Sequence, residues 1–352
     1  MPKTYQILAI ETSCDETAAA VLQVAPKSNK LLSNIISSQE KIHAQFGGIV
    51  PEVAARLHIE KILPVIDLAL QRANTTLEKI DYLAVCYGPG LVSSLMIGVE
   101  TMKTLAFTLK KPLIKINHLE AHLLSAELES KQSIKFPCVG LIVSGGHTQI
   151  IYMPDYLKYK LIGETRDDAA GEAYDKCAKI LGLGYPGGPA IDIAAGKAEA
   201  SNSKFQIKLP RPMINKGFDM SFSGLKTAVL YAWQDMQKTL SKKELENAIP
   251  IIAKEFQQAA VEVLVSKTLR AAEKYKAKTV VLGGGVSASK ELKQQMAAGI
   301  IKQFPKTQFL APEVRHSGDN AAMIAQAAYY HIKKRNFTEP FSLRSDPNSQ
   351  LV

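Results

Sequence analysis

The segment Asn117-His118-Leu119-Glu120-Ala121-His122 holds the residue types best suited to chemistry in this chain. Two imidazoles four residues apart fall on one face of a helix, with Cβ atoms roughly 5–6 Å apart. At that spacing two neutral imidazoles can grip one metal ion; two surface histidines are the plainer alternative. A third ligand is available in Ser317-Gly318-Asp319-Asn320, where Asp319 offers a carboxylate oxygen or simply caps the helix that follows. Two histidines and one carboxylate with open positions suit Fe(II) and also accept zinc. A zinc protease needs its Glu directly after the first His. Here Glu120 lies two positions on, about 200° round the helix by the 3.6-residue period, so it serves the helix start and not a hydrolytic water.

These residues need rigid elements beneath them. Asn117 can cap a helix whose third position is Glu120 and whose buried stripe is Leu119, Leu123 and Leu124. Elsewhere strand-like runs alternate with long amphipathic helices, the pattern of an α/β protein. Ile7–Val21 reads as strand, polar turn (Glu11–Thr17), strand. Val139–Tyr152 repeats that layout through Ser144-Gly145-Gly146-His147-Thr148. Two such hairpins far apart predict a duplicated domain, each half opening with a turn that can face a phosphate. A third glycine turn, Gly283-Gly284-Gly285, follows the strand run Thr279–Leu282. Glycine lets main-chain N–H groups approach phosphate oxygens, although one Gly-Gly alone can be an ordinary hairpin turn. The polar stretch Lys131–Pro137 marks a boundary. The expected organisation is a first lobe over 1–134 and a second over 135–317. The remainder, 318–352, is a helix from Asn320 to about Arg335 that packs back on the first lobe, then a mobile polar tail from Ser342.

Three further segments carry competing readings. Gly182-Leu183-Gly184-Tyr185-Pro186-Gly187 matches Gly-x-Gly-x-x-Gly literally but follows a helical pattern, so it is not a dinucleotide fingerprint. In the helix Ala169–Leu181, begun by Asp167-Asp168, the pairs Glu172–Lys176 and Asp175–Lys179 are helix-surface charge, or Asp175 holds a ribose hydroxyl. Ser223 in Ser221–Thr227 is expected to cap the next helix.

The 352 residues suffice for two domains, and 46% hydrophobic with 22% charged content is that of a globular protein. No apolar run reaches the roughly 18–20 residues that span a bilayer. Met1–Tyr5 leads directly into the strand run Gln6–Ile10, with no signal or transit segment ahead of it, so a cytoplasmic protein is expected. Cys14, Cys86, Cys138 and Cys177 form no Cys-x-x-Cys pair and read as reduced thiols. The net charge of +10, with clusters such as Lys208–Lys216 and Arg270–Lys278, suits a polyanionic partner or a generic basic surface.

Taken in order, Ile10–Thr17, His118–His122, Val143–Thr148, Tyr185–Pro189, Ser221–Thr227, Gly283–Ala288 and Gly318–Asn320 resemble the TsaD family over roughly Ile7 to Arg335. That family, formerly labelled glycoprotease, is the catalytic subunit of tRNA threonylcarbamoyladenosine synthesis. The resemblance implies an actin/Hsp70/sugar-kinase-like (ASKHA) fold, two ribonuclease-H-like lobes with a nucleotide cleft between them. It implies transfer of a threonylcarbamoyl group from threonylcarbamoyl-AMP to N6 of adenosine 37 in tRNAs reading codons that begin with A. It makes His118, His122 and Asp319 ligands of one divalent metal, most simply Fe(2+), with Zn(2+) as the alternative. Ile142, Val143, Ser144, Gly145 and Gly146 would line the acyl-adenylate, with Asp175, Gly188 and Asp192 nearby. Bacterial members work with a shorter inactive paralogue (TsaB-like) and a small ATPase (TsaE-like). Ser289 stands where the family usually has an Asn that contacts the nucleotide; serine is shorter but keeps a donor and acceptors. Asp15 or Glu16 is the expected base for the N6 proton. The competing functions are an ATP-dependent kinase or carboxylate-activating enzyme on this fold, and a non-catalytic scaffold.

Overall fold

The computed structural model describes residues 4–26, 28–198 and 206–352; Met1–Lys3, ahead of the first strand, lie outside the described residues. The chain divides into two units, one of Met1–Ile134, Tyr156–Lys158 and Pro312–Val352, the other of Lys135–Asp155 and Tyr159–Ala311.

In the first unit β1 (Tyr5–Glu11), β2 (Glu16–Val24) and β3 (Asn29–Ser38) form an antiparallel meander, paired from Tyr5 opposite Val24 to Glu11 opposite Ala18. The short α1 (Glu40–His43) and long α2 (Pro51–Arg72) lead to β4 (Tyr82–Gly88). Next, α3 (Val92–Leu109) leads to β5 (Leu113–Asn117), which passes without a loop into α4 (His118–Leu124). Both β4 and β5 run parallel to β1, and the sheet order is β3-β2-β1-β4-β5. A strand flanked by helices on both faces reads as a near-continuous apolar run. Accordingly Ile7, Leu8, Ala9 and Ile10 are all fully buried.

The second unit repeats that arrangement. β6 (Cys138–Val143), β7 (Thr148–Asp155) and β8 (Lys158–Glu164) come first. They are followed by α5 (Ala170–Ile180), α6 (Gly187–Gly196), α7 (Ser223–Thr239) and α8 (Lys242–Lys274). Then come β9 (Thr279–Gly283), α9 (Lys290–Gln303) and β10 (Gln308–Leu310). The order β8-β7-β6-β9-β10 is that of the first sheet, with β6 in the place of β1. Strand β6 is antiparallel to β7 and parallel to β9. Both hairpin turns seen in the sequence therefore sit at the same point of two like sheets, at the carboxyl end of the first strand. In open α/β sheets that is the end where ligands bind.

The last helix, α10 (Ala321–Lys333), belongs to the first unit and packs on β1, β2, β5 and α4. The tail beyond it makes specific contacts within the same unit. Asp346 N donates to Tyr87 O (2.8 Å) and Gly90 N to Pro347 O (3.3 Å). Ser349 is buried, its hydroxyl 2.8 Å from Tyr87 Oη and 3.3 Å from Asn117 Nδ2. Composition does not disclose such partners. All four cysteines are free thiols. Among the described residues no helix is long and apolar enough to cross a membrane.

Candidate metal centre

Helix α4 begins at the last residue of β5 because Asn117 folds its side chain back: Oδ1 accepts from Leu119 N (2.9 Å) and Glu120 N (3.4 Å). Leu119, Leu123 and Leu124 are buried, which fixes the roll of the helix. The opposite side is fixed by Glu120, whose Oε2 lies 2.9 Å from His331 Nε2 on α10, away from the imidazole pair. His118 and His122 then meet at their Nε2 atoms, 3.1 Å apart, with ring planes 82° from parallel.

Asp319 completes the group. Its Oδ1 lies 3.1 Å from His122 Nε2 and 3.5 Å from His118 Nε2. It can do so because it is not the cap of α10. That role falls to Asn320, which has extended backbone and accepts from Met323 N (3.1 Å) through Oδ1. Reading Asp319 as the cap was off by one residue, since the helix starts at Ala321. The three donor atoms form a triangle with edges of 3.1, 3.1 and 3.5 Å. Ligands about 2.0–2.2 Å from one ion lie at about these separations, so the side chains fit a divalent cation.

The electrostatics agree. Burial alone would lower the pKa of His118, but the Asp319 and Glu11 carboxylates outweigh it and raise the imidazole to about 9. His122 is lowered, by burial and then by His118. In the β1–β2 turn, Asp15 is buried and Glu16 is half-buried. Glu16 is pushed well above the usual carboxylate range by burial and by the Asp319 and Asp15 carboxylates. A region that raises both an imidazole and a carboxyl is one that favours added positive charge.

Sequence reasoning missed Glu11. It is fully buried, with Oε2 3.3 Å from His118 Nδ1 and Oε1 2.5 Å from Ser13 N. Ser13 Oγ stands 3.2 Å from the same ring nitrogen. Glu11, Cys86 and His118 form a second group whose donor atoms all lie within 4.8 Å. The available signal was a carboxylate ending an otherwise apolar strand. His58 was missed too: Nε2 donates to Cys14 O (3.0 Å) and Nδ1 accepts from the Thr17 hydroxyl (2.8 Å), pinning the turn that carries Asp15.

In the second unit the turn Ser144–His147 closes on itself, with Ser144 N donating to His147 O (2.8 Å) and His147 N to Ser144 Oγ (3.1 Å). Gly145 and Gly146 are exposed at its tip, whereas Ile142 and Val143 are fully buried, so these two can offer a ligand main chain only. Helix α5 starts hard against the turn: a Cβ on Gly171 would lie 2.6 Å from Ser144 O. Gly284, at φ +88°, lies equally close to Val143, where a Cβ would meet its carbonyl oxygen at 2.4 Å. Asp175, for which a pair with Lys179 and a ribose contact were both open, accepts from Gly187 N (2.7 Å) at the start of α6. Gly188 follows with open space where a side chain would stand. Asp192 accepts from Gln257, and burial raises both aspartates. Ser289 caps α9, its hydroxyl 3.5 Å from Leu292 N. Ser223 is not a cap; α7 is capped from outside by Asp167, which accepts from Phe222 N (2.8 Å) and Ser223 N (3.1 Å).

Comparison with known proteins bears on this arrangement. The family profile described as tRNA N6-adenosine threonylcarbamoyltransferase, TsaD, matches residues 30–326. A protein of that name from Syntrophomonas wolfei is 46% identical over 97% of this chain and 96% of its own. One from Clostridium kluyveri is 45% identical over 100% and 99%. Among solved structures, HypF of T. kodakarensis superposes with a TM-score of 0.62 at 11% identity, over 97% of this chain and 49% of that one. At that identity the likeness concerns the fold alone. A near full-length match to several relatives of one name settles the family. This chain belongs to the TsaD family of tRNA N6-adenosine threonylcarbamoyltransferases.

Proposed function

We propose that the protein transfers the threonylcarbamoyl group of threonylcarbamoyl-AMP to N6 of adenosine 37 in tRNAs reading codons that begin with A, forming t6A and releasing AMP. Family membership supports an acyl transfer to tRNA adenosine. The observation that carries the reading is the His118–His122–Asp319 triangle, because a kinase of this fold has no need of an imidazole pair.

The donor is a mixed anhydride, and AMP leaves without being protonated. The chain therefore has two tasks, to manage phosphate charge and to place a weak amine. A divalent ion held by His118, His122 and Asp319, Fe(2+) by its ligand set with Zn(2+) as the alternative, would supply Lewis-acid polarisation of the phosphate. The main-chain N–H groups of Ser144–Gly146 steady negative charge on the adenylate, with Ile142 and Val143 contributing backbone. Asp175, Gly188, Asp192 and Ser289 border the nucleotide, Ser289 with the shorter reach of its hydroxyl. Asp15 or Glu16 accepts the N6 proton; Glu16→Gln is expected to slow transfer, and full transfer by that variant would remove Glu16 from the role.

The basic surface receives tRNA, and a TsaB-like inactive paralogue and a TsaE-like ATPase complete the system in the cytoplasm. The test supplies unmodified tRNA, threonylcarbamoyl-AMP and those partners, and digests the tRNA for nucleoside analysis. The expected result is t6A. Unmodified adenosine throughout would favour a kinase or a scaffold.

A further inference from the structure

Glu11 poses a physical problem that the triangle alone does not explain. A carboxylate with no solvent exposure costs several kcal/mol unless its charge is matched and its lone pairs are used. Its neighbours are few and specific: Ser13 N at 2.5 Å on Oε1 and His118 Nδ1 at 3.3 Å on Oε2. The thiol of Cys86, on the adjacent strand β4, groups with Glu11 and His118 and not with His122 and Asp319, its sulfur within 4.8 Å of the Glu11 and His118 donor atoms. A carboxylate only accepts, so the proton it shares with His118 belongs to Nδ1. In the neutral ring that binding a cation requires, that assignment frees the Nε2 lone pair, which faces His122 Nε2 and Asp319 Oδ1. The two histidines differ in this respect. His122 Nδ1 is buried with no hydrogen-bond partner, so its tautomer has no such anchor.

We propose that Glu11 is the positioning residue of the metal centre: it holds His118 in the Nδ1–H tautomer, aims Nε2 at the ion and strengthens it as a donor. Cys86 stands with Glu11 and is not a ligand. The inference rests on the reading that His118, His122 and Asp319 bind a divalent cation. Carboxylate partners behind metal-bound histidines contribute about 10–100-fold in affinity.

Two measurements on the full chain test it without relying on turnover. In the first, Co(2+) is titrated into metal-free wild type, Glu11→Gln, Glu11→Asp and Cys86→Ser, followed by visible absorption. The expected result is affinity lowered about 10–100-fold in Glu11→Gln, partial recovery in Glu11→Asp, and no thiolate-to-cobalt charge-transfer band in wild type or Cys86→Ser. Wild-type affinity in Glu11→Gln overturns the role of Glu11. A thiolate band in wild type that disappears in Cys86→Ser overturns the assignment of Cys86. The second needs no substitution, should Glu11→Gln fold poorly: ¹⁵N chemical shifts of the Zn(2+)-loaded wild type should give His118 as Nδ1–H with Nε2 metallated, and the reverse pattern overturns the proposal. Absence of any binding by wild type overturns the metal site itself, and this inference with it.

Discussion

Lys267, on α8, is as buried as any residue in the second unit, yet it is an ammonium. Its Nζ donates to three main-chain carbonyls, Met213 O (2.6 Å), Lys216 O (2.5 Å) and Gly217 O (3.1 Å), and so ties down the loop leading to Ser221. Arg270 adds bonds to Ile214 O and Gly217 O. Lys267→Met would leave those carbonyls without their donor, at about 1–3 kcal/mol for each group left dry. A net loss of about 2–4 kcal/mol is expected in urea unfolding at neutral pH. The pH dependence has a definite sign. Burial first, then Arg270, lower the pKa of Lys267 to about 8. Between about 8 and the ordinary lysine value near 10.4, the unfolded chain binds more protons than the folded one. The contribution of this group to stability therefore rises with pH across that window. The stability gap between wild type and Lys267→Met should widen from pH 7.5 to 9.5; a gap that narrows would contradict the assignment.

Elements carry the site through their ends more than their middles. Asn117 closes β5 and opens α4, so both imidazoles take their direction from one side-chain amide. Asn117→Ala should cost about 0.5–2 kcal/mol as a lost cap and should weaken metal retention in the same preparation. Asn117→Asp, which keeps the acceptor, should recover most of the stability. Chemical denaturation with metal analysis of the dialysed protein reads both. The sequence made this cap legible, because an Asn before an amphipathic stripe has a local signature. It did not make the caps of α7 and α10 legible. Asp167 reaches α7 across 55 residues, and Asn320 displaced Asp319 because the helix boundary moved by one position. Local chemistry is written locally, and partners from distant segments are not.

At the scale of the whole chain the same asymmetry holds. Two strand–turn–strand patterns were enough to expect a duplicated α/β protein, and the strand orders of the two sheets are alike. The imidazole pair was readable from its spacing of four. Glu11 was not, since its relation to His118 spans 107 residues and depends on β1 and β5 flanking the same β4. The final residues obey that rule as well: nothing in their composition betrays that Ser349 reaches the amide of Asn117 and the phenol of Tyr87. An affinity handle or fluorescent fusion placed after Val352 would tug on the brace behind the histidine-bearing helix. Metal retained by the tagged protein is expected to fall below that of the untagged chain, which metal analysis of the two preparations reads.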